Sequence, residues 1–140
     1  MLRIDLCDWH DARDIASRIR TTVFVEEQRV PPEIEMDDRD AASVHALAFV
    51  DGAAVGTGRL LPDGHIGRMA VLREARASGV GSAMLERLVE EARRLGFREA
   101  VLSAQTHALA FYRKHGFEAV GEVYEEAGIP HQEMRRTLKS

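Results

Sequence analysis

Apolar runs along the chain predict most of its strands. Residues 2–6 alternate apolar and polar side chains, as is typical of a short edge strand. Three further apolar runs follow at residues 45–50, 53–61 and 66–71. They are separated by Asp-Gly dipeptides that begin at Asp51 and Asp63, and such dipeptides indicate tight hairpin turns. We therefore expect an antiparallel three-strand meander, whose apolar density favours central strands covered by helices on both faces.

A spacing of four between apolar residues predicts the first helix. Asp8 or Asp11 can cap it, and it continues from Ala12 until Pro31 and the following proline stop it. The predicted buried stripe consists of Ile15, Ile19 and Val23. The pattern places Arg18 and Arg20 away from this stripe.

A second, longer helix is predicted over residues 79–95, with Gly96 as its left-handed end. It joins the strand at 66–71 to a short apolar strand at 100–102. A strand, a crossover helix and a second strand form a unit whose two strands run parallel in one sheet. The sequence therefore predicts one parallel pair beside the antiparallel meander.

The last third of the chain predicts one more helix and two more strands. Thr106 can cap a helix over residues 107–115. Strands are expected around 119–123 and 133–137, with residues 124–131 as their connection. The expected fold is α/β, with a mixed, mostly antiparallel sheet of six or seven strands flanked by helices.

Length and composition exclude several classes of protein. The 140 residues fit one domain, residues 1–140, and 19 basic against 23 acidic residues give a formal charge of −4. There is no run of lysines or arginines that would favour nucleic acid. Cys7 is the single cysteine, which excludes an intrachain disulfide and a zinc site built on paired cysteines. Since no segment resembles a signal peptide or a membrane span, we expect a cytoplasmic protein without membrane attachment.

Seven carboxylates fall within the fifteen residues from Glu26 to Asp40. Such a run is most often solvated surface, and it can also form an acidic rim that attracts a cationic amine or fixes a loop over a cleft. The spacing lacks the central glycine and terminal glutamate of a calcium loop. No metal is expected.

Residues 76–81, Arg-Ala-Ser-Gly-Val-Gly, have the character of an anion site. Two glycines at the start of a helix let the backbone approach a bulky ligand, and the first amides of the helix have no intrahelical partner. These amides suit a phosphate, and Arg76 and the Ser78 hydroxyl could add to the site. An ordinary strand-to-helix turn is the alternative, since neither a Walker A loop nor a complete dinucleotide fingerprint is present.

Together with Val71, the stretch from Arg76 to Ala83 resembles the acetyl-coenzyme A signature of the GNAT superfamily of N-acetyltransferases. The segment 104–117 is similar to a second signature of that superfamily, which carries an aromatic-tyrosine pair. The resemblance implies that the strand at 66–71 splays from its parallel neighbour to admit the cofactor. It implies cofactor contacts from Met69, Ala70, Val71, Arg76, Ala77, Ser78, Gly79, Val80, Gly81, Ser82, His107, Phe111 and Tyr112.

Tyr112 is the candidate proton donor to the departing thiolate. The resemblance places it at the tyrosine that serves this role in many members. Its chemistry agrees, because a phenol with an ordinary pKa of about 10 is protonated at neutral pH. A buried tyrosine that only packs and hydrogen-bonds to the backbone is the alternative.

Further positions resemble the ElaA-like branch of the superfamily, among them Arg20, His45, Arg68 and the segment 123–131. This resemblance implies acceptor contacts from Arg20, Glu26, Gln28, Arg68 and His131. An amine must lose a proton before it attacks, and Glu27, Glu26 and His131 are all candidate bases. Glu27 is our first choice. A purely structural hydrogen bond is the alternative for His131.

The resemblance implies direct transfer of an acetyl group from acetyl-coenzyme A to a primary amine on a small molecule or peptide. No covalent enzyme intermediate is needed, because both substrates are held together. Two other classes stay open: an acyl-coenzyme A sensor without turnover, and an interaction module that docks through its acidic segment. A homodimer, common in the superfamily, is neither required nor excluded by the sequence.

Overall fold

The computed structural model describes residues 1–35 and 37–139, without the side chain of Ile34. Met36, in the predicted acidic segment, and Ser140 lie outside the described residues. The strands are β1 (Leu2–Cys7), β2 (Val44–Val50), β3 (Ala53–Leu60), β4 (Ile66–Val71), β5 (Glu99–Gln105), β6 (Glu118–Glu126) and β7 (Ile129–Thr137). The α-helices are α1 (Trp9–Arg20), α2 (Pro32–Glu35), α3 (Val80–Arg94) and α4 (Leu109–Lys114).

The first four strands form an antiparallel sheet in the order β1-β2-β3-β4, with β1 at one edge. This confirms the predicted edge strand and meander. On one face, Ala12 and Ala16 of α1 pack with Leu47. On the other, Met84 of α3 packs with Val55, so helices cover both faces as the apolar density predicted.

The last three strands form a second antiparallel sheet in the order β5-β7-β6. The strands β6 and β7 are longer than predicted and meet at a two-residue turn, Ala127-Gly128, with φ of 52° and 75°. The expected connection over 124–131 is therefore wrong, because most of it is strand. Exposure along β6 explains the error: a strand that buries neither face shows no apolar alternation.

α1 begins as predicted, with the Asp8 carboxylate accepting a hydrogen bond from the Asp11 amide at 3.0 Å. The chain then continues as a π-helical segment, Thr21–Glu27. The prediction that Arg20 lies off the buried face is wrong, because only 1% of this residue is exposed. Charged residues are rarely buried unless paired, and the partners of Arg20 come from a different segment.

α3 confirms the predicted long helix. It starts after Gly79, whose φ of 84° needs a residue tolerant of the left-handed region, and ends before Gly96 at φ 90°. The predicted Thr106 cap is not formed, because a 3₁₀ turn, Thr106–Ala108, precedes α4 without a side-chain cap.

The two sheets meet at one parallel bridge, between His65 and Val101. There the Val101 amide donates to the Gly64 carbonyl oxygen at 3.2 Å. In the described parts of β4 and β5 no further pairing follows, so the two strands diverge. The predicted splayed parallel pair is thus confirmed. None of the helices in residues 1–35 and 37–139 combines the length and apolarity needed to cross a membrane.

Candidate active site

A cavity of about 620 Å³ lies in the gap between β4 and β5. Met69, Ala70 and Val71 of β4 line one side, and Ser103 and Gln105 of β5 line the other. Backbone groups of β4 that face this gap have no strand partner on that side. The gap therefore offers an unpaired strand edge to an extended ligand.

A β-bulge shapes the β4 wall at Arg68, whose φ is 49°. Thr57 pairs with Ala70 and Arg59 with Gly67, so two residues of β4 oppose one residue of β3. The opposing residue is Gly58, where a Cβ would lie 2.5 Å from the Met69 sulfur. The bulge brings Arg68 into the cavity lining.

The turn before α3 has the geometry of an anion site. Ala77 and Gly79 both have positive φ, 62° and 84°, and no side chain caps the first amides of the helix. A Cβ at Gly81 would lie 3.5 Å from the Phe111 ring and 3.9 Å from Val71, so this glycine borders the β4 end of the gap. The Ser78 hydroxyl, in contrast, donates to the Ala75 carbonyl oxygen.

Arg76 connects this turn to the π-helical segment. Its Nε donates to the Val71 carbonyl oxygen at 2.9 Å, and its guanidinium lies 2.9 Å from the Glu27 carboxylate. Arg73 lies 3.7 Å from the same carboxylate. Arg76 and Glu27 both line the cavity, while residues 77–82 lie outside its lining.

Tyr112 enters the cavity from α4. Its ring makes edge contacts with Phe111 and Phe117, at centroid distances of 5.1 and 6.1 Å. Desolvation raises the pKa of Tyr112 to about 12. The phenol is therefore protonated at neutral pH and able to donate a proton within the cavity.

Amide side chains link the two sides of the cleft. Gln105 Nε2 donates to Gln28 Oε1 at 2.9 Å, and His107 Nε2 donates to Gln105 Oε1 at 2.6 Å. All three residues line the cavity, so the predicted sites Gln28 and His107 lie together. The sequence analysis missed Gln105 and Ser103. Their alternation with buried Ala100, Leu102 and Ala104 could have identified them.

The acidic segment is folded inward against three arginines. Arg20 binds Glu35 through its Nε and Asp40 at 2.9 Å, and both carboxylates are 2% exposed. Arg59 bonds to Asp40 and Asp37, at 2.9 and 2.8 Å. We call these five side chains, together with Arg68, the arginine–carboxylate network. Its members are Arg20, Arg59, Arg68, Glu35, Asp37 and Asp40.

The network corrects two expectations. The acidic segment is not mainly solvated surface, because its carboxylates fix it to the sheet. Arg20 does not line the cavity, so it supports the site from behind instead of contacting an acceptor. Arg68 does line the cavity and lies 3.3 Å from Asp37. The hydrogen bond from Arg59 holds the pKa of Asp37 well below its usual range.

The second-sheet wall carries His131, 6% exposed, on β7. Its Nδ1 lies 2.7 Å from the Ile129 carbonyl oxygen, and its ring stacks with Tyr124 at 6.2 Å between centroids. The Tyr124 hydroxyl bonds to Ser103, and Glu126 lies 3.6 Å from His131 Nε2. The cleft thus brings together Glu27, Gln28, Arg68, Tyr112 and His131, whereas Glu26 is exposed and outside the lining.

Among the described residues, no group of three or more histidine, cysteine or carboxylate side chains is placed to hold a metal ion.

Comparisons with known proteins agree with this geometry. Residues 16–138 match the family model described as "Acetyltransferase (GNAT) domain". The chain is 38% identical over 122 residues to the uncharacterized N-acetyltransferase YjcF of Bacillus subtilis, covering 84% of this chain and 87% of YjcF. A crystal structure of an acyl-CoA N-acyltransferase from Pseudomonas aeruginosa superposes with a TM-score of 0.87 at 36% identity, covering 98% and 100% of the two chains. The crystal structure of Escherichia coli ElaA gives 0.85 at 29% identity, covering 97% and 99%.

Proposed function

The chain belongs to the GNAT acetyltransferase family, and on that basis we propose that it moves the acetyl group of acetyl-coenzyme A directly to a primary amine. Family membership itself makes the protein an acyl-coenzyme A-dependent N-acetyltransferase. The identity of the acyl group and of the acceptor belongs to the proposal. The acceptor would be a small molecule or a peptide that presents an amine.

One observation carries this proposal: the unpaired edge of β4 leads to the glycine turn before α3, and Tyr112 lines the same cleft. An extended cofactor arm could pair with Met69–Val71 while its phosphates reach the free amides at the start of α3. The signature residues Ala77, Val80 and Ser82 would contribute backbone at that end. Phe111 would pack beside Gly81, which it borders.

The chemistry follows from this placement. When bound, acetyl-coenzyme A supplies the thioester that the amine attacks. A β4 amide would donate to the oxyanion that forms, and such a donor is worth about 10²- to 10³-fold in rate. Tyr112, which is protonated at neutral pH, would then give its proton to the leaving thiolate, and the phenolate would take up the proton that the amide nitrogen loses. Orientation of two bound substrates makes a covalent enzyme intermediate unnecessary.

Glu27, our first choice for the base from the sequence, is held by Arg76 in this structure. Protonation of Glu27 would break that ion pair. We therefore propose for Glu27 a role in holding Arg76, the residue that would meet the cofactor phosphates. Cytoplasmic location, a single domain over residues 1–140 and a homodimer stay predictions.

A thermal-shift titration tests the cofactor site. Acetyl-coenzyme A, coenzyme A and ATP are titrated against wild type and Gly81→Val, because a ligand that binds the native state raises the unfolding midpoint. Gly81 is preferred to Gly79, since its Cβ has ordinary contacts and its backbone needs no left-handed conformation. We expect both coenzyme A species to stabilise wild type and to lose this effect in Gly81→Val.

The matched control is Arg87→Val, which places the same side chain on the exposed face of α3. It should respond to acetyl-coenzyme A as wild type does. If no coenzyme A species stabilises the wild-type protein, the acetyl-transfer proposal fails. If Gly81→Val and Arg87→Val respond alike to acetyl-coenzyme A, the turn before α3 is not the phosphate site.

A further inference from the structure

His131 has one ring nitrogen committed and the other available. A carbonyl oxygen only accepts hydrogen bonds, so the contact of 2.7 Å with Ile129 O requires a proton on Nδ1. In the neutral ring Nε2 is then unprotonated and carries a lone pair. The structural hydrogen bond therefore does not compete with a chemical role, because it fixes the tautomer that a proton acceptor needs.

The surroundings of His131 hold the ring in one orientation. Tyr124 stacks on it with an angle of 22° between the planes, and the Tyr124 hydroxyl is tied to Ser103 of β5. Glu126, whose side chain is 52% exposed, lies at an ion-pair separation of 3.6 Å from Nε2. The exposure of this carboxylate offers a route for the proton to solvent.

Other charged or titratable groups of the cleft lie on the elements around His131. Arg68 comes from β4, Tyr112 from α4 and Glu27 from the π-helical segment. Glu27 is paired with Arg76, and Arg68 is 3.3 Å from Asp37. Of the three histidines that line the cleft, His65, His107 and His131, only His131 is buried, and it combines this burial with a fixed tautomer and an available lone pair.

We infer that His131 is the general base of the transfer, with Glu126 and Tyr124 as the residues that position it. This inference rests on the proposed function. Nε2 takes a proton from the ammonium group of the acceptor, and the freed lone pair attacks the thioester carbon to form the C–N bond. Collapse of the tetrahedral intermediate breaks the C–S bond, and the thiolate takes its proton from Tyr112. Tyr112 regains a proton from the new amide nitrogen, while His131 releases its own to solvent past Glu126.

Reaction rates with two nucleophiles of different basicity distinguish a catalytic base at His131 from a purely structural residue there. Ethanolamine is an alkyl amine and, like a lysine side chain with its pKa of about 10.4, must lose a proton before it attacks. Hydroxylamine is already largely unprotonated at neutral pH. Both are small enough to enter the cleft without a dedicated acceptor site. Thiol release from acetyl-coenzyme A is measured with each, after subtraction of the enzyme-free rate.

The variant is His131→Gln, and the control is Glu133→Gln on the same strand and outside the cavity lining. A general base contributes about 10²- to 10⁴-fold, so His131→Gln should lose at least a hundredfold with ethanolamine and far less with hydroxylamine. The pH profile with ethanolamine should also change, following only the free-amine fraction in the variant. Stabilisation by acetyl-coenzyme A should be retained, which shows that the fold and the cofactor site are intact.

Each other outcome overturns the inference. An equal loss with both nucleophiles makes His131 structural, and no loss removes it from the reaction. A nucleophile-selective loss in Glu27→Gln instead of His131→Gln moves the base to Glu27. If wild type binds acetyl-coenzyme A but releases thiol with neither nucleophile, the proposed transfer itself fails, and the assignment of a base fails with it.

Discussion

The two walls of the cleft differ in the electrostatic character of their side chains. On the first-sheet side, charged side chains are locked in ion pairs: Arg20 with Glu35, Arg59 with Asp37, and Arg76 with Glu27. On the second-sheet side, Tyr112 and His131 present groups that can give or take a proton. The difference separates two tasks, because a paired charge holds a backbone in place but exchanges protons poorly.

The buried ion pairs of the first wall cost desolvation free energy to form, and their removal costs stability. Burying an ion pair costs desolvation that its attraction only partly offsets, whereas removal of one partner leaves an uncompensated buried charge. The network holds the segment after α2 against β3 and β4, close to the bulge at Arg68. It thereby fixes the wall from which Met69–Val71 face the gap.

The largest effect on stability is expected from Arg20→Met. The substitution keeps most of the side-chain volume but leaves buried Asp40 with Arg59 and buried Glu35 with Arg68, 3.8 Å away, so we expect a loss of about 3 kcal/mol in the free energy of unfolding. Urea denaturation measures it. The control is Arg39→Met, whose pair with Asp63 is half exposed and should be worth less than about 1 kcal/mol. Equal losses in both variants would erase the distinction between the network and an ordinary surface pair.

On the second wall, Tyr112→Phe should lower kcat for thiol release about a hundredfold and leave stabilisation by acetyl-coenzyme A unchanged. Phenylalanine keeps the ring contacts with Phe111 and Phe117 but has no proton to give. Tyr124→Phe is the comparison: it removes a hydroxyl that helps to position His131 but keeps the ring against it, so it should lower kcat less than Tyr112→Phe. A Tyr112→Phe enzyme with wild-type kcat would exclude the tyrosine as proton donor.

The acid stability of the protein should depend on Asp37. Because its pKa is lower in the folded protein than in the unfolded chain, the ionised carboxylate stabilises the fold above the ordinary value of about 3.9, and this contribution declines as pH falls below it. Unfolding midpoints between pH 7 and pH 3 would test this in wild type and Asp37→Asn. The difference between the unfolding midpoints of the two proteins should narrow below about pH 4. A difference that stays constant with pH would show that the ion pair between Asp37 and Arg59 does not determine stability in acid.

The smallest effect is expected at Glu27, where the first wall contacts Arg76 of the turn before α3. Glu27→Gln removes the carboxylate that holds Arg76, so affinity for acetyl-coenzyme A should fall by up to about fivefold, the equivalent of a partly exposed ion pair. Isothermal titration measures it. Glu26→Gln removes the same charge from the neighbouring exposed residue and should change the affinity little. An unchanged or tighter affinity in Glu27→Gln would mean that the pair does not position Arg76 for the phosphates.

The sequence predicted the parts of the cleft that depend on local signals. Asp-Gly turns located the meander, and glycines at 79 and 96 marked the ends of α3. The strand–helix–strand order of β4, α3 and β5 then predicted a parallel pair. Backbone geometry of this kind is encoded within a few residues, so the turn at 76–81 and its relation to β4 could be predicted before the structure.

Long-range side-chain pairing could not be predicted in the same way. Arg20 meets Glu35 and Asp40 because α1, α2 and the 3₁₀ turn at Asp40–Ala42 converge, and no spacing along the chain signals this. His131 meets Tyr124 because of the register of β6 on β7. The exposed residues of β6 show no apolar alternation, so the sequence did not predict the full extent of that strand. The acidic segment was misinterpreted for the same reason, since its arginine partners are distant in sequence.

The most direct test of this account is an NMR titration of the ¹⁵N-labelled protein with acetyl-coenzyme A, read at each backbone amide. If the cofactor lies between the two walls, the largest shifts should fall on Met69–Val71 and on residues 77–82, with smaller shifts at Tyr112. The network residues Arg20 and Asp40, which are buried and do not line the cavity, should change little. Shifts that avoid β4 and the turn before α3, or that cluster on the outer face of β6, would contradict the placement of the active site.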